Sequence, residues 1–177
     1  MNEEVIQMLA SRRIHTIREL QGLQQQRLDA LFRFRYGNAL VDLKTVLLQI
    51  PLFELKVFFR EGDASEWKAI QEKATVSFMP GSVEFQVRIS LLRGNPKMKV
   101  YAPKYYKSKV ATYWLIVNSG DFLICLKRVD AGHNGMQISL PADRLPTVQN
   151  SVITAAILSD SMIGVQASHS FSVKNIQ

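Results

Sequence analysis

The spacing of apolar residues changes at Pro51, and this change limits the folds that the chain can adopt. Before Pro51, apolar side chains recur at intervals of three and four residues, as they do on one face of an α-helix. After it, segments 53–59 and 83–92 alternate apolar and polar residues, which is typical of strands with one buried face. Helices followed by strands, without regular alternation of the two, predict an α+β fold with segregated parts.

Four short helices are predicted before Pro51. The first ends at the Ser-Arg-Arg run that starts at Ser11. The second begins at Thr16, because Thr16 and Glu19 have the spacing of a capping box, in which each side chain accepts a hydrogen bond from the other's backbone N–H. Gly22 is expected to end this helix with a positive φ, which glycine adopts without a Cβ clash. The apolar residues of the third and fourth helices are Leu28, Leu31 and Phe32, then Leu40, Leu43, Leu47 and Leu48.

About seven strands are predicted after the helices, the number that an immunoglobulin-like β-sandwich needs. The polar segment 63–73 is predicted to be partly helical. Asn134 and Gly135 predict a tight hairpin between the strands on either side of them, since both residues tolerate positive φ. We therefore predict a helix-loop-helix domain over residues 1–50 and an immunoglobulin-like β-sandwich domain over residues 51–177.

A further hairpin is predicted over residues 113–129, YWLIVNSGDFLICLKRV, where two apolar runs flank a polar turn. Consecutive residues of a strand, such as Tyr113 and Trp114, lie on opposite faces. Both faces of both strands are apolar, so the hairpin is expected to be covered on both sides. Its aromatic residues then belong to the core, and only its basic end, Lys127 and Arg128, is free to contact a partner.

Length and composition are those of a globular intracellular protein. With 177 residues and 47% hydrophobic content, the chain can bury the core of one domain, alone or with a small satellite. Its single cysteine, Cys125, cannot form an internal disulfide, and no Asn-x-Ser/Thr acceptor occurs. The first residues form no apolar leader, and no apolar run approaches the roughly 18 residues of a spanning helix. We expect a soluble chain in the cytosol or nucleus, without direct membrane insertion.

The charge of the chain is basic and unevenly distributed. Its formal net charge of +7 favours an acidic partner such as nucleic acid, an anionic membrane surface or an acidic protein segment. No acidic residue occurs between Glu84 and Asp121, and this window favours nucleic acid or an acidic protein. The alternative is a solvated loop surface without a partner. The basic residues of the window are Arg88, Arg93, Lys97, Lys99, Lys104, Lys107 and Lys109.

No group of residues has the spacing of a catalytic or metal site. His15, His133 and His169 lack a second ligand at the short spacing that zinc sites use, and there is no glycine-rich phosphate-binding loop. Ser161 and His169 occur without the elbow that presents a hydrolase nucleophile, so a simple turn is favoured at this point. No enzyme activity, metal, cofactor or small-molecule substrate is predicted for this chain.

Three motifs and one helical segment of the chain resemble those of a known family. The motifs are Tyr113-Trp114 at a strand start, L-x-x-L-K-R from Leu123 to Arg128, and S-D-S-x-x-G from Ser159 to Gly164. With the helical segment ASRRIHTIRELQGLQQQRLDAL, they resemble the Sec-sixty-three unit over nearly the whole chain. That unit ends each cassette of the Ski-two-like helicases of the spliceosomal U-five particle and of the activating signal cointegrator complex, and it occurs in the ER translocation subunit. Met162 and Val165 depart from the pattern, as in a divergent member.

The resemblance implies a non-catalytic, C-terminal module of a spliceosomal-type RNA helicase, located in the nucleus. Such a module docks protein partners of a ribonucleoprotein complex in pre-mRNA splicing and contacts single-stranded RNA. The Lys127-Arg128 strand end and the basic charge favour this branch of the family. The alternatives are the cytosolic clamp domain of the ER translocation subunit, on the cytosolic face of the ER, and the equivalent module of the cointegrator helicase. The chain carries no ATPase motifs, so ATP hydrolysis would belong to a longer parent protein.

Ten basic residues are candidates for binding RNA or a protein partner. The resemblance places the helix-loop-helix near the RNA path of an active cassette, which selects three arginines of the helical part. The acid-free window and the end of the hairpin supply the others. The candidates are Arg12, Arg13, Arg18, Lys97, Lys99, Lys104, Lys107, Lys109, Lys127 and Arg128.

Overall fold

The protein has a mixed α+β fold with a few short helices and mostly β-sheet, as the change of spacing at Pro51 predicts. The computed structural model describes residues 3–32, 45–62, 64–79, 82–100, 107–130, 136–140, 151–162 and 164–175. The helices are α1 (Glu3–Ser11), α2 (Ile17–Gln21) and α3 (Gln25–Phe32), and residues 45–49 are also helical. Of the predicted fourth helix, Leu40 and Leu43 lie outside the described residues. The division into domains of residues 1–50 and 51–177 stays a prediction.

The capping box at the start of α2 is confirmed. The Glu19 N–H donates to Thr16 Oγ1 at 3.1 Å, and Glu19 Oε2 accepts from the N–H groups of His15 at 2.7 Å and Thr16 at 3.0 Å. These backbone hydrogen bonds lower the pKa of the Glu19 carboxyl. The positive φ predicted for Gly22 is wrong, since its φ is −75°. The Gly22 N–H donates to Arg18 O at 3.0 Å, and the chain continues into α3 without a left-handed residue at Gly22.

Eleven strands follow the helices in the part of the chain that the structure describes. Four of them form a sheet in the order β2-β1-β4-β9, five form a second sheet in the order β3-β11-β10-β7-β8, and β5 pairs with β6. Every pair is antiparallel except β3 with β11. The strands are β1 (Leu52–Glu61), β2 (Lys68–Ile70), β3 (Thr75–Phe78), β4 (Val83–Arg93), β5 (Lys99–Val100), β6 (Lys109–Val110), β7 (Tyr113–Ser119), β8 (Phe122–Val129), β9 (Met136–Leu140), β10 (Ser151–Ser159) and β11 (Gln166–Asn175).

The two large sheets face each other across the hydrophobic core. Aromatic rings meet between the sheets: Phe53 of β1 lies edge-on to Tyr113 of β7, with ring centroids 4.8 Å apart, and Phe85 of β4 lies 5.5 Å from Phe171 of β11. Buried helix residues such as Leu20 belong to the same hydrophobic cluster. The alternation that predicts the strands therefore also identifies the core side of each sheet.

The polar segment 63–73 contains a strand where partial helix was predicted. Residues 68–70 form β2, which pairs with β1. The Arg60 guanidinium lies over the Trp67 ring, 4.9 Å from its centroid, and this contact holds the segment against β1. Tertiary contact with β1 therefore outweighs the local helix preference of the segment.

The hairpin predicted around Asn134 and Gly135 is also wrong. The strands on either side, β8 and β9, belong to different sheets, and β9 pairs with β4. This crossing places Ile138 and Leu140 in the core, with 4% and 5% of their surfaces exposed. The two turn residues themselves lie outside the described ranges.

The hairpin of β7 and β8 forms as predicted, but a β-bulge interrupts its second strand. Val117 lies opposite Cys125, whereas the next residue, Asn118, lies opposite Leu123. Ile124 is therefore the extra residue of the bulge, and it is completely buried. Beyond the bulge the strict alternation predicted for the second strand no longer holds.

The two faces of this hairpin differ in exposure, so the prediction that both are covered is wrong. On the face away from the other sheet, Leu126 lies opposite Ile116, and Trp114 lies opposite Arg128. Leu126 is 55% exposed, Trp114 36% and Leu123 49%. Apolar residues on both faces of the hairpin predict burial of both, but the second sheet covers only one of the faces.

The helices lie against one end of the two sheets, where β1, β7 and β11 begin and β4, β8 and β10 end. Gln21 Nε2 donates to Ile50 O at 3.1 Å, and Arg93 Nη2 donates to Gln21 O at 3.2 Å. Gly94 follows β4 with a φ of +94°, and a Cβ at this position would lie 2.5 Å from Ile50 O. We call this end of the sheets the helix-proximal end.

Candidate binding surface

A cleft of about 380 Å³ opens at the helix-proximal end, beside the β7–β8 hairpin and the β5–β6 pair. It brings together Lys97 and Arg128, which are distant in sequence, and its other polar side chains are Thr112 and Asp130. Lys97 and Arg128 are exposed and form no ion pair with any acidic residue in the described part of the chain. Two cations at one opening are therefore available to an external anion.

Backbone hydrogen bonds hold the loop that carries Lys97. The Asn95 N–H donates to Gln49 O at 2.8 Å, which ties the loop to the helical part, and the Lys97 N–H donates to Asn95 Oδ1 at 3.0 Å. The Ala111 N–H donates to Met98 O at 3.0 Å on the other side of the cleft. The loop is thus connected to both the helices and the start of β7.

Asp160, in the turn after β10, connects several groups at the same end. It accepts hydrogen bonds from the Thr112 N–H at 3.1 Å and from the hydroxyls of Thr112 and Ser161, and Lys109 Nζ lies 3.8 Å from its carboxylate. Burial alone raises the pKa of Asp160, but the hydrogen bonds from Ser161 and Thr112 and the charge of Lys109 outweigh it, so the pKa is lowered. Asp160 stays ionised and offsets the charge of Lys109.

Of the ten basic residues predicted as candidates, nine lie in the described ranges and Lys104 does not. In the β5–β6 pair, Lys99 lies opposite Val110 and Lys109 lies opposite Val100, beside the cleft lined by Lys97 and Arg128. Lys127 lies opposite Leu115, at the edge of the sheet. Lys109 is half-buried and the others are exposed: Arg12, Arg13, Arg18, Lys97, Lys99, Lys107, Lys127 and Arg128.

The three candidate arginines of the helices do not line this cleft. Arg12 and Arg13 follow α1, where Arg13 adopts a left-handed φ of 60° that turns the chain toward α2. Arg18 lies on α2 and lines a second cleft, of about 360 Å³, between α2 and the first residues of β1. The structure thus places Arg12, Arg13 and Arg18 in the helical part and Lys97 and Arg128 at the cleft, whereas Lys107 and Lys127 line neither of the two clefts.

The serine and histidine considered for hydrolysis are not brought together. The Ser161 hydroxyl donates to Asp160, whereas His169 is buried on β11 with its Nδ1 3.3 Å from Glu72 Oε2. In the ranges that the structure describes, no three His, Cys, Asp or Glu side chains form a group that could hold a metal ion. No helix in those ranges is long and apolar enough to cross a membrane.

Sequence reasoning missed the roles of Thr112 and Asp160 at this end. The segment from Ser159 to Gly164 stands out in the sequence through the resemblance and through Ser161, and nothing in the sequence pairs Asp160 with Thr112, 48 positions away. The contact arises because β7 and β10 are neighbours, with Ser159 opposite Tyr113. A short polar turn directly after an apolar strand was the one available signal.

A comparison with protein-family models found no match to this chain, and a search of curated proteins found no match to its sequence.

Proposed function

We propose that this chain is a non-catalytic Sec-sixty-three-type module of a spliceosomal-type RNA helicase, located in the nucleus. Its helix-loop-helix and immunoglobulin-like parts dock protein partners of a ribonucleoprotein complex and contact single-stranded RNA. The observation that carries the RNA contact is the meeting of Lys97 and Arg128 at one cleft, where Asp130 also lies but forms no ion pair with either of them in the described chain.

The order of the strands supports the immunoglobulin-like part of the proposal. The principal strands divide into β1-β4-β9 in one sheet and β11-β10-β7-β8 in the other, and the two sheets enclose one core. Between β4 and β7, and again on either side of β9, the chain crosses from one sheet to the other. Crossing of this kind is typical of Greek-key sandwiches such as immunoglobulin-like domains.

The chemistry of the cleft suits a phosphate chain. An arginine guanidinium can donate two parallel hydrogen bonds to one phosphate, and a lysine ammonium adds a compact charge beside it. Lys97 and Arg128 supply this pair. Arg18 lies on α2, and Arg12 and Arg13 lie in the turn between α1 and α2. These helices pack against the same end of the sheets, so one RNA strand is expected to contact both groups.

The experiment is a fluorescence-anisotropy titration of a labelled oligouridine at about 50 mM and about 200 mM salt. Each phosphate contact of a single strand contributes roughly −0.7 to the slope of log K against log salt concentration. The double variant Lys97→Gln/Arg128→Gln is therefore expected to reduce the slope by about 1.4 and to weaken binding at the lower salt concentration. The triple variant Arg12→Ala/Arg13→Ala/Arg18→Ala is expected to reduce it by about 2.

A control for total charge uses three exposed lysines on β2, on β11 and in the turn before β3. Lys68→Gln/Lys73→Gln/Lys174→Gln removes as many charges as the arginine triple variant, but from positions away from the cleft and the helices. If this control weakens RNA binding as much as the other variants, the contact is with net charge alone and the proposed site is wrong. Undetectable RNA binding at the lower salt concentration would reject the RNA contact altogether.

A further inference from the structure

The cleft that carries Lys97 and Arg128 also carries one carboxylate. Asp130 directly follows β8, is exposed, and lines the same opening. In the part of the chain that the structure describes, it forms no ion pair and its carboxylate accepts no hydrogen bond. Its two oxygens are therefore available to hydrogen-bond donors of a ligand.

The second carboxylate at this end is already occupied by protein groups. Asp160 accepts hydrogen bonds from Thr112 and Ser161, and Lys109 Nζ lies 3.8 Å from it. Of the two aspartates, Asp130 is the one left to accept from a ligand. The cleft therefore offers a ligand two cations and one carboxylate acceptor.

The walls of the cleft are apolar, and its volume suits one nucleotide. Pro96, Ala111 and Val129 are buried there, and Val110 is 42% exposed. Pockets that hold a drug-sized molecule have volumes of about 300–1,000 Å³, so this cleft of about 380 Å³ lies at the small end of the range. A single base with its sugar and phosphate belongs to this size class, and apolar walls can pack against the flat faces of the base.

Guanine is the base whose edge complements a carboxylate. On its Watson–Crick edge the N1–H and the N2 amino group are neighbouring donors, so one carboxylate can accept two parallel hydrogen bonds from it. Adenine and cytosine place one amino donor beside a ring nitrogen that accepts, and uracil places one N–H between two carbonyl oxygens. Each of these three bases would set an acceptor against the carboxylate. Single-stranded RNA exposes these edges, because its bases are unpaired.

The two cations of the cleft match the remaining groups of a guanosine nucleotide. Guanine O6 lies beside N1–H and accepts hydrogen bonds from lysine or arginine, and the phosphate attracts a second cation. Lys97 and Arg128 line the opening that Asp130 shares. A neutral base edge rich in donors, joined to an anionic phosphate, therefore fits this mixture of charges better than a purely anionic ligand does.

We propose that this cleft binds a guanosine of single-stranded RNA, with the Asp130 carboxylate accepting hydrogen bonds from N1–H and from the N2 amino group. Lys97 and Arg128 contact O6 and the phosphate. This inference rests on the RNA contact proposed above and adds the base that the cleft selects. Asp130 is a specificity-determining residue in this assignment, because it rewards guanine and repels the acceptors of the other bases.

The test is a fluorescence-anisotropy titration at about 50 mM salt with three labelled oligonucleotides of about eight residues. One is uridine throughout, one has a central guanosine, and one has a central inosine, which lacks only the N2 amino group. A correct pair of hydrogen bonds discriminates between bases by about 1–3 kcal/mol, so the guanosine oligonucleotide is expected to bind about tenfold more tightly than the oligouridine. The inosine oligonucleotide is expected to bind about threefold more weakly than the guanosine one, because one of the two hydrogen bonds is lost.

Asp130→Asn separates recognition of the base from attraction of the phosphates. The asparagine amide offers one acceptor and one donor, so the preference for guanosine is expected to fall below about twofold. Because the variant also removes a negative charge, its affinity for oligouridine is expected to be equal or higher, which a loss of folding would not produce. Asp121→Asn is the matched control and is expected to keep the preference, because Asp121 is an exposed aspartate in the turn at the other end of the β7–β8 hairpin.

Equal binding of the guanosine and uridine oligonucleotides would overturn the inference and leave the RNA contact intact. A preference that Asp130→Asn retains, or that Asp121→Asn also removes, would overturn it in the same way. Displacement of the guanosine oligonucleotide by an equal concentration of guanosine monophosphate would assign the cleft to a free nucleotide, which also overturns it. Absence of binding to all three oligonucleotides would instead reject the RNA contact itself, and the choice of base with it.

Discussion

Replacing Tyr113 with phenylalanine is expected to stabilise the protein, because the Tyr113 hydroxyl is buried without a hydrogen-bond partner. The side chain is 2% exposed, and its oxygen contacts no donor or acceptor in the described structure. The ring itself packs edge-on against Phe53, with centroids 4.8 Å apart. The substitution keeps this ring contact and removes only the hydroxyl.

The magnitude follows from the cost of an unsatisfied hydroxyl. Burying one without a partner costs about 1–3 kcal/mol in proteins, so Tyr113→Phe is expected to raise the free energy of unfolding by about 1 kcal/mol. In a chain of this length that corresponds to an increase in Tm of roughly 2–4 °C. Tyr113→Ala is the contrasting variant, and it is expected to lower the free energy of unfolding by about 3–5 kcal/mol, because it also removes the ring.

The same hydroxyl makes the free energy of unfolding depend on pH in the alkaline range. Burial, and secondly the charge of Asp160, raise the pKa of Tyr113 from 10.0 to about 12. The folded chain therefore keeps a proton that the unfolded chain releases, so this contribution is complete below pH 10 and is lost as the pH rises through 12. The complete loss amounts to about 3 kcal/mol, at about 1.4 kcal/mol per pKa unit, and Tyr113→Phe does not show it.

The assay is urea unfolding of both proteins at neutral pH and between pH 10 and pH 12, followed by circular dichroism. The advantage of the phenylalanine variant is expected to grow across the alkaline range. A destabilisation of about 1 kcal/mol or more at neutral pH would mean that the hydroxyl has a partner, such as a buried water, and would refute the reasoning.

Two further substitutions test the helix-proximal end. Gly94→Ala is expected to lower the free energy of unfolding by more than about 2 kcal/mol, because it combines a positive φ with a Cβ 2.5 Å from Ile50 O. Gly120→Ala is its control, since Gly120 also has a positive φ but no atom lies within 4 Å of an added Cβ. This substitution is expected to lower the free energy of unfolding by only about 1 kcal/mol. Equal effects of the two substitutions in urea unfolding would contradict the clash at Gly94. For Asp160, whose pKa is lowered in the folded chain, the stabilisation is present above the ordinary pKa of an aspartate and is lost as the pH falls through the folded pKa. The difference in stability between wild type and Asp160→Asn is therefore expected to shrink below about pH 4, and a difference that stays constant down to pH 2 would exclude this role.

Local patterns predicted much of the secondary structure. Thr16 and Glu19 interact within one helical turn, so these two residues and their spacing are sufficient to predict the capping box. The alternation in β1 and β4 predicted strands for the same reason, since one residue in two must be apolar to meet a core. Gly22 shows the limit of this reasoning, because its φ depends on where the chain goes next.

The candidate site was less predictable, because its geometry depends on strand order. The acid-free window suggested Lys97, and the hairpin end suggested Arg128, but nothing in the sequence indicated that the two line one cleft. The contact between Thr112 and Asp160 could not be predicted from the sequence, because it requires β7 and β10 to be neighbours.

The sequence by itself determined the change from helices to strands at Pro51, the start of α2 and the core side of most strands. These features depend on interactions within a few residues or on a periodic apolar pattern. Only the tertiary structure decided that β9 leaves β8 for the other sheet, that a bulge buries Ile124, and that Trp114 and Leu126 stay exposed. The apolar pattern of a sequence indicates which side chains tend to avoid water, but which surfaces are covered depends on how the sheets pack.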